Sequence, residues 1–239
     1  MKEVSIVMPA YNEEKNIEDT IRKCSRVLES EKLNGEIVVV EDGSKDSTKE
    51  VLENLKKDIP YLRVIIHETN LGYGKAVSDG IKAARGVYIV TLDSDGQFDI
   101  NELPLFLEKI KEGYNMVTGY RLRKKDTFTK VLANIALNNL VKYMFKINIK
   151  DINCSFRIYE RKVFDKITME AHHFILPTEI LLKANALSYK ISEVGVNHAY
   201  REGGKSSIKL LKNTLEILFF LFKLKKKIKQ YKKGKISIL

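Results

Sequence analysis

VYIVTLDSDGQ, residues 87–97, is the stretch on which the fold of this chain turns. Its first six residues are aromatic, β-branched or aliphatic, a run that reads as a strand buried on both faces. Two carboxylates follow at once, and acids at the end of a buried strand need a reason. Alternate residues of an extended segment point the same way, so Asp93, Asp95 and Gln97 can present three oxygens to one hard cation. Such a cation would neutralise the acids and bridge two phosphates of a nucleotide. Asp, Ser and Gly are also ordinary turn residues. This turn, however, stands in line with acids at the ends of other strands, which favours a site.

Apolar runs rich in strand-forming residues recur on either side of it, at 4–8, 37–40, 62–66 and 116–118. Helix signals separate them: Asn12 ahead of Glu13 and Glu14, Ser47 ahead of Glu50, and Gly72 to Gly74 opening a stretch that closes at Arg85 and Gly86. Four strand and helix units thus occupy residues 1–113, the pattern of an α/β fold around a mostly parallel sheet. Beyond Lys130 come a helix rich in Leu, Asn and Ile, a strand-like CSFRIY, a helix over 177–186 and a strand over 190–196. No Pro/Gly/Ser linker or internal repeat breaks the chain, so one continuous domain is the simpler reading.

Ligands of such sheets sit at the carboxyl ends of the strands. Those positions here read PAYNEE, EDGSKDS, ETNLGYGK, DSDGQ and GYRLR. Pro9, Tyr11 and Glu13 can form a pocket wall, with Tyr11 stacking on a base and a carboxylate at its polar edge; Asn12 and Glu13 equally suit a helix start. Glu41 and Asp42 add acids where a ribose or base would bind, and Gly43 and Ser44 permit a tight turn. Gly72, Gly74 and Lys75 resemble a phosphate cradle, but neither GxxxxGK[ST] nor GxGxxG is present, which argues against a P-loop ATPase or a dinucleotide dehydrogenase. His172 and His173 lack a third ligand at workable spacing and read as a loop approaching a helix.

The formal net charge of +11 favours an anionic partner: nucleic acid, a phosphorylated substrate or an acidic membrane surface. Much of the excess lies in Lys223, Lys225, Lys226, Lys227, Lys229, Lys232, Lys233 and Lys235. Cys24 and Cys154 are far apart and lack metal-site spacing, so a reducing compartment fits best. The start, MKEVSIVMPAYNEE, has no signal-peptide pattern, which makes the cytoplasm the expected location. No stretch approaches the roughly 20 apolar residues of a membrane span, the longest being 217–222, so membrane association is expected to be peripheral. Residues 208–231 join an apolar stretch to a lysine-rich end. They read either as an interfacial helix on anionic headgroups or as a packing helix followed by a solvated basic tail.

Six stretches, SIVMPAYNEEKNI, IVVVEDGSKDST, NLGYGKAVSDGIKAARGVYIVTLDSDGQ, VTGYRLR, DINCSFRIYERKVF and EILLKANALSYKISEVGVNHAYREGGKSS, stand in the order found in a known family. The chain resembles the family 2 glycosyltransferases of the GT-A fold, most closely the branch that makes polyprenyl-phosphate sugars such as dolichyl-phosphate mannose or glucose. The resemblance implies a Rossmann-like three-layer α/β/α catalytic domain over 1–207, followed by an amphipathic helix and Lys-rich tail over 208–239. It implies a DxD-type site for Mg²⁺ or Mn²⁺ at Asp93, Asp95 and Gln97. The nucleotide site would comprise Pro9, Tyr11, Glu13, Glu41, Asp42 and Lys75 together with Asp93, Ser94 and Asp95. Arg121 would lie near the acceptor phosphate and Arg201 near the donor diphosphate, roles that suit arginine's planar fork. Arg157 has a family counterpart, although an arginine in such a strand is more often structural. Two departures stand out. Lys130 and Asn134 replace an arginine and a serine at the acceptor phosphate, and Ser207 replaces a lysine.

The implied partners are a UDP- or GDP-linked sugar, a polyprenyl phosphate and a membrane surface, with no nucleic acid. The implied reaction is inverting transfer, in which the metal and Arg201 stabilise the charge on the departing nucleotide diphosphate. A phosphate acceptor is largely deprotonated at neutral pH and requires no strong base, so positioning by Arg121 and Lys130 would suffice. A saccharide hydroxyl acceptor, the alternative, would demand a carboxylate base, and after GYRLR no clear extra acid stands at a matching family position. A nucleotidyltransferase would need a glycine-rich basic loop where PAYNEE is acidic. A nucleic-acid-binding module would need aromatics among the tail lysines.

Overall fold

The computed structural model describes residues 2–122, 128–200 and 210–239, with 128–134 and 210–215 given by their backbone alone. The first half alternates as expected: β1 (Val4–Ala10), α1 (Ile17–Ser30), β2 (Gly35–Asp42), α2 (Thr48–Asp58), β3 (Leu62–His67), α3 (Tyr73–Ala83), β4 (Tyr88–Thr91) and α4 (Leu103–Lys111). Then follow β5 (Met116–Arg121), α5 (Phe128–Phe145), β6 (Arg157–Glu160), α6 (Leu176–Ala186), β7 (Ile191–Val196) and α7 (Leu210–Lys232).

The strands form one seven-stranded sheet in the order β3-β2-β1-β4-β6-β5-β7. All pairings are parallel except those of β6, which runs antiparallel between β4 and β5. Alternate residues of β1 feed opposite faces. Val4, Ile6 and Met8 meet α1, α2 and α4 in one core, and Val7 meets α3, α5, α6 and α7 in the other. The result is a three-layer α/β/α fold. Burial on both faces explains why β1 and β2 are almost continuously apolar.

Helix α1 shows how the layers are built. Ile17, Ile21, Cys24 and Leu28 recur at helical spacing and are buried, while Glu18–Arg22 and Asp19–Lys23 pair on the outer face at 2.9 and 2.6 Å. The helix begins at Ile17, not beside Asn12 as the sequence suggested. Asn12 takes a left-handed conformation, φ 55°, and its side-chain oxygen accepts the Lys45 N–H at 2.8 Å, so it shapes a turn instead. Helix α3 lies close against the sheet at Gly80, where a Cβ would stand 2.4 Å from Cγ1 of Val7.

Within the segment expected as an amphipathic helix and Lys-rich tail, Leu210–Lys232 is helical and docks through one face. Ile217, Leu221, Leu224 and Ile228 are buried with α5 and α6. An ionic cluster fastens it. Lys227 of α7 and Lys183 of α6 both contact Glu170, the latter at 2.9 Å, and Lys183 also pairs with the fully buried Glu179 at 2.6 Å. Burial alone would raise the Glu170 carboxyl, but Lys227 and Lys183 override it and hold it at about 2.

Because the folded value lies below the ordinary 4.5, this contribution is fully present above pH 4.5 and is lost as pH falls toward 2. Thermal melts across that window are expected to show a loss of stability in the wild type that is markedly shallower in Glu170→Gln.

Candidate active site

The carboxyl ends of β1, β2 and β4 interlock through side chains from neighbouring loops. The Asn12 N–H donates to the Ser44 hydroxyl at 3.0 Å, which ties the loop after β1 to that after β2. The Ser94 hydroxyl donates to the Pro9 carbonyl at 2.7 Å, which ties it to the loop after β4. Pro9, Tyr11, Glu41, Asp42, Ser94 and Asp95 therefore belong to one edge of the sheet. Glu13 also lies there, but at the foot of α1: its carboxylate accepts the Asn16 side-chain amide at 2.8 Å and is nearly buried.

The DSDGQ turn is anchored on every side. Asp93 accepts hydroxyl hydrogen bonds on both oxygens, from Tyr73 at 3.1 Å and from Ser155 at 2.5 Å. Burial, and then the charge of Asp93, push the Tyr73 hydroxyl well above its ordinary value, so it remains a donor. Asp95 accepts the Gln97 N–H at 3.1 Å across Gly96, whose φ of +73° favours glycine. The Gln97 side-chain amide donates to the Ala199 carbonyl at 3.0 Å, and the Ala199 N–H donates to the Gln97 carbonyl at 2.8 Å. The turn is thereby joined to the chain leaving β7.

The other acids are equally engaged. Glu41 accepts the Ser44 N–H at 2.5 Å, and Asp42 accepts the N–H groups of Leu71 and Gly72 at 2.9 and 2.8 Å. Lys75 pairs with Asp79 at 2.6 Å. Arg121, at the end of β5, makes a two-point contact with Asp151, Nε to Oδ2 at 2.7 Å and Nη2 to Oδ1 at 3.1 Å, and both side chains are largely buried. Arg201 and Ser207 lie outside the described residues. Lys130 and Asn134 fall in the first part of α5, residues 128–134, where side chains are not described.

Arg157 proves structural. It is fully buried and donates to the carbonyls of Cys154, Ile152 and Pro177. His172 and His173 lie in the exposed approach to α6, and the His172 carbonyl accepts the Gly74 N–H at 3.0 Å. Cys24 and Cys154 are buried free thiols pushed up to about 12 by burial, hence unreactive.

Acids and an arginine gather at the carboxyl edge of the parallel strands, the edge at which sheets of this kind bind ligands. Residues 5–168 match the model of the family described as Glycosyl transferase family 2. The chain belongs to that family. Among solved structures it is similar to glucosyl-3-phosphoglycerate synthase from Mycobacterium tuberculosis. In the complex with phosphoglyceric acid the identity is 18%, over 93% of this chain and 80% of that one, with a TM-score of 0.74. In the complex with Mn²⁺ and uridine-diphosphate-glucose it is 20%, over 93% and 79%, with a TM-score of 0.72. At that identity the likeness is one of fold.

Three residues of this glycosyltransferase site escaped the sequence reading. Tyr73 stands inside ETNLGYGK, where the glycines and the lysine drew the attention. Asp151 and Ser155 precede a strand, whereas the search followed the residues after strands. In antiparallel β6 the amino end lies at the carboxyl edge of its neighbours, Arg157 pairing with Thr91 and Thr118. The signal was the Asp three residues ahead of CSFRIY and the Ser within it, readable only with the strand's direction in hand.

Removing Asp151 takes a two-point carboxylate contact from the largely buried Arg121 guanidinium. Asp151→Ala is expected to destabilise the fold by about 3–5 kcal/mol in urea denaturation, with a smaller effect in Asp151→Asn.

Proposed function

We propose that this family 2 glycosyltransferase moves a hexose, mannose or glucose, with inversion from a UDP- or GDP-linked donor to a polyprenyl phosphate at the cytoplasmic face of a membrane. The observation that carries the lipid acceptor is the outer face of α7. With Ile217, Leu221, Leu224 and Ile228 turned inward, Phe219 and Phe222 stand 74% and 63% exposed. Lys226 and Lys229 continue the same stripe toward the carboxyl end and are also exposed. Aromatic side chains followed by lysines suit a helix lying in the headgroup region of an anionic bilayer. No described helix is long and apolar enough to cross a membrane.

The donor set fits a hard divalent cation. Asp93 and Asp95 offer carboxylate oxygens, and Asp93 is aimed by two neutral hydroxyls that leave its charge intact. Among the described residues no third acid, His or Cys joins them, so Gln97 and substrate oxygens would complete the shell. Mg²⁺ or Mn²⁺ held there would supply charge neutralisation for the leaving nucleotide diphosphate. Pro9, Tyr11, Glu13, Glu41, Asp42, Ser94 and Lys75 would bind the nucleotide, and Arg201 its diphosphate. The relatives of the same fold crystallised with Mn²⁺ and UDP-glucose support this donor class.

At the acceptor side, Arg121, Lys130 and Asn134 would orient a phosphate monoester. Asp151, the acid paired with Arg121, is held in the two-point contact, which suits an acceptor that arrives deprotonated better than a hydroxyl needing a base.

The direct test incubates the protein with Mg²⁺ or Mn²⁺, a panel of sugar nucleotides and either a polyprenyl phosphate, phosphoglycerate or a saccharide, with products read by mass spectrometry. A lipid-linked hexose is expected; transfer to phosphoglycerate or saccharide alone would overturn the acceptor assignment. Asp93→Ala and Asp95→Ala are expected to abolish metal-dependent transfer with an unchanged circular dichroism spectrum. Phe219→Ser/Phe222→Ser is expected to weaken binding to anionic vesicles about tenfold or more, measured by co-sedimentation.

A further inference from the structure

We propose that His67 is a positioning residue of the donor site, holding Asp42 and, through Asp79, Lys75 in the geometry that grips the nucleotide diphosphate. The inference rests on the reading that Asp42 and Lys75 face the donor. His67 ends β3 and is the register partner of Asp42 on β2. Its side chain is only 8% exposed, and each ring nitrogen meets a carboxylate: Nδ1 stands 2.7 Å from Oδ1 of Asp42, and Nε2 stands 3.1 Å from Oδ2 of Asp79. Asp42 also receives the Leu71 and Gly72 N–H groups, so a ring nitrogen and two backbone donors converge on one carboxylate. Asp79 in turn receives the Lys75 ammonium on both oxygens, at 2.6 and 2.7 Å.

The four side chains thus form one continuous line, Lys75–Asp79–His67–Asp42, from the first turn of α3 to the end of β2. A residue needed only to fill space at an edge strand would have no use for two polar nitrogens, each against a carboxylate, and Leu62, Val64 and Ile65 already supply apolar bulk in β3. Without the imidazole, two shielded carboxylates lose their common partner. Asp79 is then free to turn, carrying Lys75 with it, and Asp42 keeps only its backbone donors.

Two substitutions separate positioning from packing. His67→Phe keeps the ring and removes both nitrogens, and His67→Gln retains a polar contact. Nucleotide binding is measured on the full chain by titration calorimetry with UDP and GDP in the presence of Mn²⁺, beside steady-state kinetics with the productive sugar nucleotide. His67→Phe is expected to raise Kd and donor KM about tenfold with kcat changed far less. His67→Gln should recover part of that loss, and Asp79→Asn should reproduce it. Donor Kd within twofold of wild type in His67→Phe overturns the proposal. Should that variant fail to fold, the same result in Asp79→Asn overturns it. Asp42→Asn distinguishes the two levels. If it leaves nucleotide binding unchanged, the donor-site reading fails and His67 with it. If it weakens binding while His67→Phe does not, the positioning role alone fails.

Discussion

A guanidinium shut away from water organises the catalytic edge of this protein. Arg157 is fully buried, and such a charge is tolerable only if its donors are matched. The carbonyls of Ile152, Cys154 and Pro177 match them, and the Thr178 hydroxyl joins the same Ile152 carbonyl at 2.9 Å. The chain ahead of β6 is therefore wound tightly around the arginine and pinned to the start of α6. From that loop Ser155 reaches Asp93 and Asp151 reaches Arg121. One buried cation thus sets the loop that carries both Ser155 and Asp151.

The remaining loops are braced against one another in the same way. The turn before α3 donates two backbone N–H groups to Asp42, and the Tyr73 hydroxyl that follows them reaches Asp93. Ser94 holds Pro9, and Asn12 holds the loop after β2. A site built from fixed dipoles and aimed carboxylates needs little rearrangement when charge develops on a leaving diphosphate. The cost is that nearly every acid of the edge has a structural duty as well as a chemical one.

The basic surplus divides along similar lines. Lys183 is fully buried between Glu179 and Glu170, and Lys227 bridges α7 to the same cluster. These lysines secure the helix, while Lys225, Lys226 and Lys229 remain exposed on it beside Phe219 and Phe222. The same helix is core on one face and carries exposed aromatic and lysine side chains on the other.

Much of this was legible in the letters, because periodicity and strand-end chemistry are local. The alternation of apolar runs and helix signals determined the α/β class. The acids after β1, β2 and β4 marked the edge where the loops interlock, and the ordered motifs pointed to the family. The direction of β6 was not legible, since a four-residue strand reads alike in either sense, and with it Asp151 and Ser155 stayed hidden. Nor could spacing tell that Arg157 is structural, that Lys75 pairs with Asp79, or that His67 joins Asp42 to Asp79. Those outcomes depend on which distant groups meet in a shared low-dielectric space, and only the packed tertiary structure decides that.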